Sequence, residues 1–128
     1  MERQLRLRRG GDVRAARSRG RAIADGPLVV RVRPNASDPP ANRYGVIAGR
    51  KSGGAVQRNR LKRITREALR ALHPEMSPGF DLVVIIRGTV EELPGSNEAR
   101  ALLTRMLRRA NLLPERPAAA ANPPERQS

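Results

Sequence analysis

The 128-residue chain has no cysteine and no tryptophan, and a single residue each of tyrosine, phenylalanine and histidine. The lack of cysteine excludes disulfides, thiolate metal sites and cysteine nucleophiles, and it fits a cytoplasmic protein. The one histidine, His73, is followed by Pro74, which stops a helix that reaches it. His73 therefore reads as an ordinary helix C-terminal residue. With so few candidates for acid–base chemistry, no catalytic set and no metal site is assigned to the protein. No apolar run is long enough to span a bilayer. Met1 to Gly11 is basic but lacks the apolar block of a signal peptide. A membrane partner is not expected.

Acids are also scarce. Lys and Arg total 26 against 12 for Asp and Glu, a formal charge of +14. A compact fold with that excess repels itself, and a polyanion would relieve the repulsion. The cations are nearly all arginine; only Lys51 and Lys62 are lysine. The planar guanidinium fork matches phosphate oxygens and base edges. These observations point to a nucleic acid.

The length suits one domain, expected over residues 1–113, with a modest core. The Pro/Ala-rich stretch 114–128 has almost nothing to bury and is expected to be disordered. Asp12 can cap a short helix running to about Arg19. A strand is expected over Arg21 to Ala24. Leu28 to Arg33 alternates, with Leu28, Val30 and Val32 on one face and Arg31 and Arg33 on the other. Arg43 to Gly49 is a further strand, with Tyr44, Val46 and Ala48 on one face. A helix follows from about Ala55 to Leu72. Within the strand Phe80 to Arg87, the run Leu82 to Ile86 is apolar on both faces, which suits an interior position. Ser96 or Asn97 can cap a last helix reaching about Leu113, striped by Ala99, Leu102, Leu103, Met106, Ala110 and Leu113. The order predicts an α+β sandwich, with helices packed on one mixed sheet.

The helix over 55–72 carries the clearest signal. Leu61, Ile64, Thr65, Ala68 and Leu72 form its apolar stripe. Asn59, Arg63, Arg66 and Arg70 lie near the opposite pole, with Lys62 beside them and Arg58 and Arg60 flanking the stripe. Solvated helix faces usually mix signs, because like charges at i,i+3 and i,i+4 destabilise. Cations near the helix start also oppose its dipole. A phosphate lying across that end would offset both costs. Arg50 and Lys51 precede the helix together with Gly53 and Gly54, which let backbone N–H groups approach an anion. The run Gly45 to Ser52 nearly spells a nucleotide-binding loop. It has Arg50 where that motif needs glycine, and the helix begins too late, so no nucleotide cofactor is expected.

The segment Arg43-Tyr-Gly-Val-Ile-Ala-Gly-Arg-Lys-Ser-Gly-Gly-Ala-Val-Gln-Arg-Asn-Arg-Leu-Lys-Arg-Ile-Thr-Arg-Glu67 resembles the signature of the bacterial ribonuclease P protein component. A weaker likeness extends from about Leu5 to Leu113 and includes the Asp81 to Arg87 strand. The resemblance implies an αβββαβα sandwich with a mixed central sheet and a left-handed crossover. It implies a subunit of an enzyme in which the RNA holds magnesium ions and cleaves the 5′ leader from precursor tRNA. It places the catalytic RNA on the Arg-Asn-Arg region, here Arg58, Asn59, Arg60, Lys62 and Arg63, and the basic turn and helix face add Arg50, Lys51, Arg66 and Arg70 to the expected surface. It places the single-stranded leader in a cleft between the N-terminal helix and the sheet, here Val13, Ala16, Arg17, Arg31, Arg33 and Tyr44. The family commonly has aromatics on that helix, where this chain has Val13 and Ala16. Contacts to the leader backbone would then replace stacking, which is worth about 1–3 kcal/mol per base. The competing reading is a ribosomal or ribosome-assembly protein.

Overall fold

A computed structural model describes residues 21–114. The helix expected over Asp12 to Arg19 and the tail after Pro114 lie outside the described residues. Strands β1 (Arg21–Asp25), β2 (Leu28–Pro34) and β3 (Arg43–Ala48) are followed by helix α1 (Ala55–Leu72), strand β4 (Phe80–Ile86) and helix α2 (Ser96–Arg109). The order agrees with the expected one, and α1 has the expected limits. The last helix ends earlier than expected. Asn111 takes a positive φ of 62° just beyond it, and Leu112 folds back so that its N–H donates to the Leu107 carbonyl.

The sheet order is β1-β2-β4-β3. β1 and β2 form an antiparallel hairpin in which Asp25 faces Leu28. Gly26, at φ +55°, supplies the left-handed residue that this two-residue turn requires. β4 runs antiparallel to β2 and parallel to β3. The sheet is therefore mixed, and β4 is interior, as its two-sided apolar run predicts. The parallel β3–β4 pair needs a crossover connection, and α1 provides it.

Both helices pack on one face of the sheet. Leu28, Val30, Val32, Tyr44, Leu82, Val84 and Ile86 meet Leu61, Ile64, Ala68, Leu69 and Leu72 of α1 and Ala99, Leu103, Met106 and Leu107 of α2 in a single core. The expected stripes are right but incomplete, since Leu69 and Leu107 are also fully buried and Leu102 is only partly buried. Thr65 joins the buried stripe because its hydroxyl donates to the Leu61 carbonyl at 2.8 Å. Asp25 ties the hairpin to α2, accepting from Arg105 Nε at 2.8 Å and Arg109 Nη1 at 3.1 Å. The Arg105 guanidinium, aided by Arg109, holds the Asp25 carboxyl below its ordinary pKa.

Candidate nucleic-acid interface

The β3–α1 connection sets the first surface. A 3-10 turn, Arg50–Ser52, leaves β3, and Gly54 begins α1 without any side-chain cap and with no acid in the first turn. Ser52 is buried, and its hydroxyl donates to the Ile86 carbonyl at 3.3 Å. The serine of the near-match to a nucleotide loop is thus engaged in the fold, and the helix starts after it.

Two shallow depressions flank the N-terminal half of α1. One is lined by Ala48, Ala55, Arg58, Asn59 and Lys62. The other is lined by Val56, Asn59, Arg60 and Arg63. Asn59 forms the wall between them. The structure therefore brings together Arg58, Asn59, Arg60, Lys62 and Arg63. Arg50 and Lys51 are exposed on the turn before them, and Arg70 is exposed farther along the helix. Arg66 is half-buried on the same helix. Arg58 Nε is shielded and has no hydrogen-bond partner within the protein.

The second surface is the sheet face turned away from α1 and α2. Strand register arranges it in rows. Arg33, Asp81 and Arg43 are cross-strand neighbours; Arg31, Val83 and Gly45 form the next row; Val29, Ile85 and Ile47 the one after. The face runs from charged at one end to apolar at the other. At the charged end Asp81 has no exposure. Its carboxylate accepts from Arg43 Nε and Nη2, both at 2.9 Å, and from Asn35 Nδ2 at 2.9 Å. Arg33 Nε stands 3.9 Å away. Neither Asp81 nor Asn35 was singled out from the sequence. An acid opening an otherwise apolar strand was the available signal.

Of the residues expected to line the leader cleft, Arg31 and Arg33 share this face. Val13, Ala16 and Arg17 lie outside the described residues. Tyr44 is a correction. It pairs with Leu82, which pairs with Val32, so strand alternation turns it to the helix side, where it is 1% exposed. Arg43 takes the place on the arginine face. The Tyr44 hydroxyl hydrogen-bonds His73 Nδ1 at 2.7 Å, and the two rings meet edge to face with centroids 5.6 Å apart. His73 is the C-cap residue of α1, so the lone histidine has the structural position expected of it.

Tyr44→Phe is expected to cost about 1 kcal/mol of stability, the worth of one buried hydrogen bond, and to leave RNA affinity unchanged. Burial also pushes the phenol from 10.0 up to about 12. The folded state thus holds this proton more tightly than the unfolded chain. That contribution is complete below pH 10 and is lost as pH rises toward 12. Denaturant melts across that window should show a smaller alkaline loss for Tyr44→Phe. A variant of wild-type stability with weakened RNA binding would return Tyr44 to the expected cleft.

The ribonuclease P family model matches residues 1–111. A "Ribonuclease P protein component" from Chloroflexus aggregans is 43% identical over 114 residues, covering 88% of this chain and 82% of the relative. One from Roseiflexus castenholzii is 36% identical over 113 residues, covering 88% and 91%. The RNase P protein from Thermotoga maritima superposes with a TM-score of 0.69 at 34% identity, covering 80% of this chain and 96% of that one. The Staphylococcus aureus RNase P protein, at 22% identity, shares the fold with a TM-score of 0.72 over 86% and 98% of the two chains. The mixed sheet, the basic crossover helix and the family match over nearly all of the described residues agree: this chain belongs to the ribonuclease P protein family.

Proposed function

We propose that the chain acts within a ribonuclease P particle, docking on the catalytic RNA through α1 and the turn before it. The observation that carries this reading is the single-signed surface on which Arg58, Asn59, Arg60, Lys62 and Arg63 stand together at an uncapped, acid-free helix start. An uncapped helix start leaves N–H groups and a positive dipole end unanswered, and phosphates answer both. The sheet face bearing Arg31 and Arg33 is proposed to take the 5′ leader of precursor tRNA, mainly through its phosphates. The particle is proposed to work in the cytoplasm. Among the described residues no helix is long and apolar enough to cross a membrane.

The hydrolysis is assigned to the RNA, together with the magnesium ions it needs. Among the described residues no three His, Cys, Asp or Glu side chains converge on a possible metal position. The buried carboxylate, Asp81, is already satisfied by Arg43 and Asn35. The protein's share is positioning: neutralising phosphates so that RNA and leader approach one another.

The test is salt dependence. Arg60→Ala and Arg63→Ala are each expected to weaken binding of transcribed ribonuclease P RNA. Each should lower the slope of log K against log salt by about 0.7–0.9, one phosphate contact. If both variants kept the wild-type affinity and slope, α1 would not be the docking element. A ribosomal subunit recovered with the tagged protein, in place of one RNA of defined size, would favour the ribosomal reading instead.

A further inference from the structure

Val56 is 78% exposed, and it stands out as the exposed large hydrophobic residue among the described ones. An exposed apolar side chain is ordinary by itself. The placement of this one is not. Val56 lies one helical turn from Asn59 and Arg60 and two turns from Arg63, on one strip of α1. The four side chains line the same depression. The strip thus sets an exposed apolar side chain beside an amide and two guanidinium groups, with no acid in the first helical turn. A purely phosphate-binding strip has no use for a bare valine. A protein partner would need a larger apolar area than one side chain provides. An unpaired base matches the strip: its apolar face covers the valine, its edge meets the Asn59 amide, and its flanking phosphates meet Arg60 and Arg63. Amide side chains can make paired hydrogen bonds to base edges, and unstacked bases are what RNA-binding proteins read in loops and bulges.

We propose that Val56 and Asn59 form a base-contact site on α1, which takes one unpaired base of the catalytic RNA between the arginines that hold its backbone. The inference rests on the docking of α1 on that RNA proposed above, and it adds a contact that salt cannot screen. Covering a valine is an apolar transfer, so its loss should be independent of ionic strength.

The experiment uses the full chain and transcribed ribonuclease P RNA. Val56→Ser should weaken binding about fivefold to tenfold, the worth of burying part of one valine. The salt slope should not change, and Val56→Ile should restore affinity. The melting temperature of Val56→Ser should stay at the wild-type value, since the side chain supports nothing in the free protein. Dimethyl sulfate probing should find an adenine or cytosine that wild type protects and Val56→Ser leaves reactive. Wild-type affinity for Val56→Ser, a loss that comes with a lower melting temperature, or an altered salt slope would each overturn the site. Arg60→Ala separates the two levels of inference. If Arg60→Ala loses affinity while Val56→Ser does not, only the base contact fails. If neither variant loses affinity, the docking of α1 fails with it.

Discussion

Asp81→Ala is expected to destabilise the protein by about 3 kcal/mol, the low end of the range for removing one member of a buried ion pair. Asp81 is fully buried, and it receives two hydrogen bonds from Arg43 and one from Asn35. Arg33 and Arg43 keep 27% and 34% side-chain exposure. They can turn toward water when the carboxylate is gone, which is why the upper end of the range is not expected. The damage should spread into the loop after β2. Asn35 Nδ2 reaches both Asp81 and the Ala41 carbonyl, and Asn35 Oδ1 accepts from Ser37. Loss of the carboxylate therefore releases the loop that orients the start of β3. A small domain has only about 5–15 kcal/mol in all, so the change should be plain in urea melts. Asp81→Asn should fall between, keeping an acceptor for Asn35 while losing the charge. A cost below about 1 kcal/mol for Asp81→Ala would show that the Arg33–Asp81–Arg43 row is solvated and does not anchor the sheet.

The contrast between Asp81 and α1 shows what a sequence can and cannot disclose. Helix periodicity is local, so Leu61, Ile64, Thr65, Ala68 and Leu72 could be assigned to the core, and the arginines to the outside, from spacing alone. The near-miss at Leu69 has the same origin. It sits at the edge of the wheel, and only the position of the sheet decides that it is buried. The interior place of β4 was legible because every position from Leu82 to Ile86 is apolar, as suits a strand with neighbours on both sides. The row through Asp81 was not legible. Its members lie on strands far apart in sequence, and only the register aligns them. Tyr44 illustrates the same limit. Alternation correctly grouped it with Val46 and Ala48, but alternation does not say which face looks toward the helices. The expected cleft set included it, and the pairing of Leu82 with both Tyr44 and Val32 places it on the helix side. Val56 was legible in the same way: five residues before Leu61, it falls about 140° from the stripe, on the arginine face, and only its apolar side chain among cations went unremarked.

The local character of the basic surface leads to the second large effect. Arg63→Glu and Arg100→Glu each reverse one exposed arginine on a helix, and each changes the net charge by the same amount. If the +14 charge attracted RNA as an undirected cloud, both variants would weaken binding equally. Arg63 lines the depression with Val56, Asn59 and Arg60. Arg100 lies on α2, lining a separate hollow with Glu75, Thr104 and Arg108. A lost charge-assisted hydrogen bond costs about 1.5–3 kcal/mol, and a carboxylate facing phosphate adds repulsion. Arg63→Glu is therefore expected to weaken binding of ribonuclease P RNA about a hundredfold at moderate salt. Arg100→Glu should weaken it by less than about threefold, through long-range attraction alone, and that small effect should vanish as salt shortens the screening length. Both side chains are exposed, so neither change should shift folding stability by more than about 0.5 kcal/mol. Filter binding at two salt concentrations, with a thermal melt of each variant, reads all of these quantities. Equal losses from the two reversals would mean that α1 has no privileged contact with the RNA. A larger loss from Arg100→Glu would move the docking surface to α2.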